Sequence, residues 1–564
     1  MTDTLLDQLN QRRAALKQER DSSWLAHWQD MNRYGLPRVG RFIATDRNRG
    51  DRRNQKILNE TVTFAVNTSV RGLMYGITNP SRPWFSLETP FPELNKKQNV
   101  RVYLDTLRDR MLDTFRKSNL YTVLPSIYRD LLVYGTNATA LNKDKKSIIR
   151  LESMPLGSYS LAISGSQRVD TCYREYQSTF RQLMGRFGPE NCTQDIQQSY
   201  KDGTKIETWT DVCHAVEPNP LHNPDSPFAK HRQFRSIYWQ PKGEPGRYLS
   251  SSGSNTFPIL APRWDIQDGD TYGQSPLMDV LGTAKGLQRL ESKSLTLLDK
   301  VIDPALNVPV GLKGMPITQL PGGINWVSGT EQATITPTHT IGNAPLVAVE
   351  DKIARYEARI NKALFVDIFL LLAGDHRSDI TAEEIRARIE EKVQTLGPIM
   401  LRLNDELLDQ LVDRTFEIMQ DPDFEGLIPE APEELQGVPL TIEYVSEMAK
   451  AMKLAGVGSI ERTVMFVGNL AAQQVAAGLQ PTAWDKLDLD EAIDVYSDLT
   501  GSPAKIVRDA EGVAEIRDER NAKQAKAEKA SQMQAAADTA QKLGSTPADP
   551  ESLLAKMGQQ GTEA

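Results

Sequence analysis

Apolar residues recur at three- and four-residue spacing over residues 3–34, from Ile57 to Gly76, and over 96–118 and 121–135, which predicts four helices in the first quarter of the chain. Gly35 and Pro37 punctuate the first, Gly76 closes the second, and "VYGTNAT" ends the fourth. Trp84 and Phe85 follow the second helix as an aromatic anchor. From about 147 to 262 the period changes. Short β-branched and aromatic runs, "SIIRLES", "KIETWTDVCHAV" and "FRSIYWQ", alternate with Gly, Pro, Ser and Asn clusters, the pattern of an antiparallel β region with long loops. The piece "EYQSTFRQLMGRFG" interrupts it with a helix.

After "PRWDIQDGDTYGQSP" the helical period returns as a stripe of Leu277, Val280, Ala284, Leu287, Ser294, Leu298 and Val301, broken at Glu291. Pro304 stops that helix. The Pro- and Gly-rich residues 304–345 read as a small β or loop module. A second helix is expected from about 346 to 373, with Val349, Ile353, Tyr356, Ile360, Leu364 and Ile368 on one face. At ~1.5 Å per residue each helix is roughly 40 Å long, so the pair and its module predict a hairpin-like arm with a tip. A polar loop, "AGDHRSDITAEE", follows: Gly374 suits the end of the helix before it, and Thr381 with Glu384 forms a capping box for the next. That next helix runs to about 420 with a kink expected at Pro398. A strand, "TIEYV", and helices near 446–475, 488–499 and 503–519 complete the chain, with Asp488 and Ser502 as N-caps. The last fifty residues, rich in Ala, Lys, Glu and Gln, can form helix but cannot bury a core alone, and the stretch from Leu543 is expected to be disordered. The fold class is therefore α+β, mainly helical and elongated.

Composition narrows the function. A net charge of −8 excludes a molecule that is globally adhesive to nucleic acid, so any DNA contact is local. Cys172, Cys192 and Cys213 are too few and too scattered for a disulfide framework or a zinc pair. The longest apolar run, "ALFVDIFLLLAG", holds Asp367 and is too short to span a bilayer, and the N-terminus has no signal-peptide core. The expectation is a protein cytosolic at synthesis with no membrane segment. No phosphate loop, dinucleotide fingerprint, nucleophile elbow or HExxH is present, so no enzyme, cofactor or metal is expected. The acidic pairs "DGD" (268–270) and "DLD" (488–490) could support a metal-dependent nucleic-acid-processing enzyme, but a loop turn and a helix cap account for them better. A non-ring scaffold or adaptor is a further alternative. Two clusters stand out as candidate binding residues. Lys285, Arg289 and Lys293, four apart, share one helix face, either paired with carboxylates of a neighbouring helix or presented to a polyanion or an adjacent copy. The basic loop "RFIATDRNRGDRRNQK" reads as a solvated loop or a contact for nucleic acid or an acidic partner.

The segments "GLMYGITNPSRPWFSL", "DGDTYGQSPLMDVLGTAKGLQRLE" and "ITAEEIRARIEEKVQTLGPIMLRLNDELL" resemble, in this order, segments of the portal proteins (head-to-tail connectors) of short-tailed bacteriophages. The resemblance spans about residues 55–420 and weakens to general character after 436. It implies a homo-oligomeric ring, usually a dodecamer, at a capsid vertex of the virion, assembled in the host bacterial cytoplasm. It implies a channel for double-stranded DNA during packaging and ejection. The partners it implies are the terminase large subunit, major capsid and scaffolding proteins, a tail adaptor protein and internal core proteins. Mapped onto this chain it implies a wing (1–274), stem helices (275–302 and 346–373), a clip (303–345), a tunnel loop (374–380), a long kinked wing helix with linker (381–435), a crown (436–510) and a C-terminal extension (511–564). His376, Arg377, Ser378 and Asp379 of the tunnel loop would then face DNA.

Overall fold

The computed structural model describes residues 5–42, 50, 56–95, 97–203, 205–241, 247–267, 269–308, 310, 313, 318, 335–337, 343–372, 396–435, 437–500, 508 and 510–544. Its mixed, mainly helical content agrees with the expected class. Helix Leu5–Tyr34 ties two cores together. Leu6 and Leu9 pack on Tyr173, Cys213, Ala215, Ile237 and Trp239 of a sheet, while Trp28 and Met31 lie in the main helical core. Polar contacts fix its register: Arg12 pairs with Glu217 at 2.6 Å, Arg20 donates to the carbonyl of Tyr159 at 2.6 Å, and Trp28 Nε1 donates to the carbonyl of Tyr134 at 3.2 Å. Glu217 is almost wholly buried, and Tyr173 and Arg235 also donate to it, so its charge is compensated on three sides.

The β region forms a five-stranded antiparallel meander of Tyr159–Ile163, Val169–Thr179, Trp209–Pro218, Phe234–Trp239 and Ser250–Ser254, each strand beside its sequence neighbours. Period-two alternation puts Tyr173 and Cys213 under the N-terminal helix. The opposite face carries His214 and Tyr238, stacked at 3.7 Å, and receives a helical insert, Phe180–Phe187 with Gln194–Lys201. The insert starts later than the pattern predicted, because residues 175–179 extend the strand. The cause is local: Thr179 accepts from the Gln182 amide at 3.3 Å while Gln182 Oε1 accepts from the Thr179 amide at 3.0 Å, a capping box that sets the boundary.

Helices Thr61–Gly76, Gln98–Lys117 and Leu120–Tyr134 build the main core, with Trp84, Phe85 and Phe115 at its centre. Strand Thr441–Tyr444 pairs antiparallel with Phe85–Glu88, which stitches the C-terminal third to the N-terminal body. Two glycine motifs meet at a backbone crossing. Gly135 has φ +76°, and a Cβ there would lie 2.2 Å from the carbonyl oxygen of Gly273, while a Cβ on Gly273 would lie 2.4 Å from that of Gly135. Neither residue tolerates a side chain without the two backbone segments parting.

Helix Glu447–Ala476 and helix Leu489–Thr500 stand as expected, and Asp488 caps the latter through the Glu491 amide at 3.1 Å. The last described helix is Ala510–Gly544, well beyond the expected 503–519, while Ser502 lies outside the described residues. The stretch expected to be disordered lies almost wholly outside them too.

Candidate functional site

The arm is the candidate site, and its root shows how the sequence builds it. Ser275 caps helix Pro276–Ile302: its Oγ accepts from the Met278 amide at 3.2 Å and donates to the carbonyl of Val133 at 2.8 Å, with Pro276 at the first helical position. Leu277, Leu281, Ala284 and Leu287 are buried. Beyond Leu287 the apolar stripe continues without a core to enter, and Leu295, Leu298, Val301 and Ile302 are exposed, Ile302 to 79%. The expected stripe thus divides into a packed root and an uncovered outer half.

The returning helix, Asn343–Ala363, lies along the first, with the Tyr356 ring against Gly286, where a Cβ would sit 2.7 Å from Tyr356 Cε2. The expected single helix to 373 is two. Phe365 takes φ +59°, a left-handed residue that ends the arm helix and restarts the chain as Val366–Leu372. Nearby packing stabilises the break: Ser69 Oγ lies 2.5 Å from the carbonyl oxygen of Leu364, Phe369 fills the space that a Cβ on Gly72 would occupy, and Phe365 lies against Trp264. Of the module between the helices, Leu306–Asn307 pairs antiparallel with Thr336–Pro337.

A polar clasp holds both arm helices to one point of the body. Gln288, nearly buried, accepts from the amides of Leu58 and Asn59 at 2.7 and 3.1 Å and donates to the carbonyl of Asn59 at 2.7 Å. Asn59 in turn donates to Glu357 of the second helix at 2.8 Å. No periodicity marks these residues, because their partners lie about 230 and 298 positions away.

Lys285 pairs with Asp30 at 2.7 Å and lies over the Tyr34 ring, and its hydrogen bond holds the Asp30 carboxyl below the usual carboxylate range. The pair is well hydrated and is worth at most about 1 kcal/mol. Arg289 and Lys293 are exposed. The second helix carries a further row, Lys352, Arg355, Arg359 and Lys362, all exposed. This row is not among the candidates that the sequence singled out, although its 3-4-3 spacing is a legible helical signal. His376, Arg377, Ser378 and Asp379, with Gly374 and the Thr381–Glu384 box, lie outside the described residues.

The helix after that loop is described from 396 and reaches Met419. It carries a π-helical turn at Asn404–Leu408, while most of the turn before Pro398, where the kink is expected, lies outside the described residues. Glu406 in that turn is the acceptor for Arg263, through the Arg263 amide at 2.9 Å and guanidinium contacts at 2.6 and 3.2 Å, with both side chains nearly buried. Arg168 pairs with Asp405, and Arg402 with Asp265 at 2.8 Å. The extra residue of the turn aims Glu406 at Arg263. Of the acidic pairs, Asp488 caps a helix and Asp490 pairs with Arg517; the backbone of Asp270 closes a turn onto Gln267 and accepts from Arg263, while Asp268 lies outside the described residues. Among the described residues no group of three or more His, Cys, Asp or Glu side chains gathers to hold a metal ion. No described helix is long and apolar enough to cross a membrane.

Comparison with known proteins places the chain in a family. A profile described as bacteriophage head to tail connecting protein matches residues 6–507. The portal protein of Salmonella phage epsilon15 is 39% identical over 564 residues, 98% of this chain and 98% of its own length. The probable portal protein of Bordetella phage BPP-1 is 36% identical over 539 residues, covering 96% and 95%. A solved structure, the virion of a native gene transfer agent particle, overlaps 79% of this chain and 97% of its own at 12% identity and a TM-score of 0.33, a likeness too loose to carry an argument.

Proposed function

The chain belongs to the bacteriophage head-to-tail connecting protein family, and on that premise we propose how its parts serve as a ring-shaped conduit for DNA. Its role is that of a portal protein, joining head to tail. The observation that carries this is the identity with a portal protein along nearly the full length of both chains. Residues 1–274 form the wing, 275–302 and 346–373 the stem, 303–345 the clip, 374–380 the tunnel loop, 381–435 the returning wing helix and 436–510 the crown, with 511–564 extending it. The ring is of order twelve subunits and stands at a capsid vertex of the virion. The terminase large subunit docks on it during packaging and a tail adaptor afterwards, while capsid, scaffolding and internal core proteins surround it. The uncovered outer half of the arm supports this reading, since Leu295, Leu298 and Ile302 need a neighbour to leave water.

Electron microscopy and native mass measurement of the purified chain test the assembly. Rings of about ten or more subunits are expected. A stable monomer or dimer under capsid-assembly conditions overturns the conduit.

A further inference from the structure

We infer that the open side of the arm is a contact surface for the phosphate backbone of duplex DNA, carried by Lys352, Arg355, Arg359 and Lys362 together with Arg289 and Lys293. The inference rests on the conduit reading above and deepens it, by naming which residues of the stem meet the duplex.

The geometry begins on the second arm helix. At 3.6 residues per turn, positions 352, 355, 359 and 362 fall within about 80° of one another and span roughly 15 Å of helix. All four side chains are exposed, and among the described residues none has a carboxylate partner within ion-pair distance. Glu357 on the same helix is turned away, held by Asn59 and Thr61. Asp351 alone among the helix's acids borders the row, four residues before Arg355.

The first helix adds to the same side. Tyr356 rests on Gly286, and Lys352 and Arg359 lie 5.5 and 5.8 Å from the centre of that same ring. Gly286, Arg289 and Lys293 occupy positions i, i+3 and i+7, so they share one face of the first helix. At the root of the arm the opposite side of each helix enters the body, through Leu281, Ala284 and Leu287 on the first and Ile360 and Leu364 on the second. The six cations therefore flank one groove that none of the described residues covers.

Charge decides the occupant. The chain as a whole carries −8, so a six-cation strip is a local departure from its own field. A neighbouring copy would need an exposed acidic row of similar length. The acids of the arm helices are scattered, and Glu357 is already engaged. Duplex DNA presents a regular line of phosphates that such a strip fits without reading sequence, through contacts that release counterions and break easily. That combination suits a duplex that slides.

The test is binding of assembled rings to a linear duplex of arbitrary sequence, measured against salt concentration. The variant Lys352→Gln/Arg355→Gln/Arg359→Gln/Lys362→Gln removes charge while keeping length and helix propensity. Rings of this variant are expected to bind more weakly, with the slope of log K against log salt smaller by about 0.9 for each phosphate that is no longer neutralised. The double variant Arg355→Gln/Arg359→Gln should show a proportionate part of that change. An unchanged slope in intact rings overturns the inference and leaves the conduit reading standing. Loss of ring assembly in both variants makes the strip a contact between copies and overturns it as well. Failure of the unaltered chain to form rings counts against the conduit reading itself.

Discussion

The body and the regions that project from it obey the same helical rules but finish differently. In the body, Leu107, Met111, Phe115, Leu124, Ile127 and Leu131 are all fully buried, and one core runs continuously through the helices, a three-stranded sheet of Ile148–Ser153, Thr139–Asp144 and Ile259–Leu260, and the root of the arm. In the C-terminal third, Ala471 is the single hydrophobic residue buried after Met448 among the described side chains. Met465 and Phe466 are each 67% exposed, Leu479 63% and Ile493 56%. The outer arm repeats this. Helix-forming sequence with an apolar side is thus present in both, but only the body supplies enough layers to cover that side. The body completes itself within one chain. The apolar sides of the outer arm and of the C-terminal helices stay open, as the proposed ring requires.

The comparison is open to attack, first where the body is most tightly determined. Replacing Gly135 with Ala should destabilise the subunit on the order of 3–5 kcal/mol, since the new Cβ collides with the Gly273 carbonyl at a positive φ. Chemical denaturation of the unassembled subunit reads it, and a change below about 1 kcal/mol would mean that the crossing yields. The arm should respond in the opposite way. Leu295→Ser/Leu298→Ser/Ile302→Ser is expected to leave subunit stability within about 0.5 kcal/mol while abolishing rings in sedimentation. Intact rings, or a subunit that unfolds, would erase the distinction between the two regions.

The smallest expected difference is a pH slope confined to the body. Loss of hydration pushes the Asp130 carboxyl up to about 7, against the pull of the Asn137 side-chain amide donating to it at 2.8 Å. Between its ordinary value near 3.8 and about 7 the folded chain binds a proton that the unfolded chain has released. Stability from this group is therefore full below the ordinary value and falls as pH rises towards about 7. Asp130→Asn should flatten that part of the stability profile, and an unaltered profile would place the slope elsewhere.

Much of this could be read from spacing and capping, and the misses share a cause. The helix ending at Gly76, the Trp84–Phe85 anchor, the Ser275–Pro276 start and the Asp488 cap are signals within a few residues of sequence. The later start of the 180–187 helix was legible too, in the capping box of "STFRQ", which outweighs the helical period of the residues before it. Arg263 with Glu406, and Gln288 with Asn59 and Glu357, were invisible because each polar residue is explained only by a partner more than a hundred positions away. Phe365 gave no warning either, since a left-handed aromatic residue is imposed by packing against Trp264 and the neighbouring helix.

By itself, then, the sequence determined most helix positions and the capped boundaries such as Ser275 and Asp488, where strands alternate, and that two long helices form an arm, because capping and periodicity act between near neighbours. Its residues also carried the cation rows. Tertiary structure alone decided that both rows share one side of the arm, that Lys285 is taken up by Asp30, and that the apolar stripe is buried only as far as Leu287. Those outcomes depend on which surfaces meet across the fold, and no local pattern encodes that.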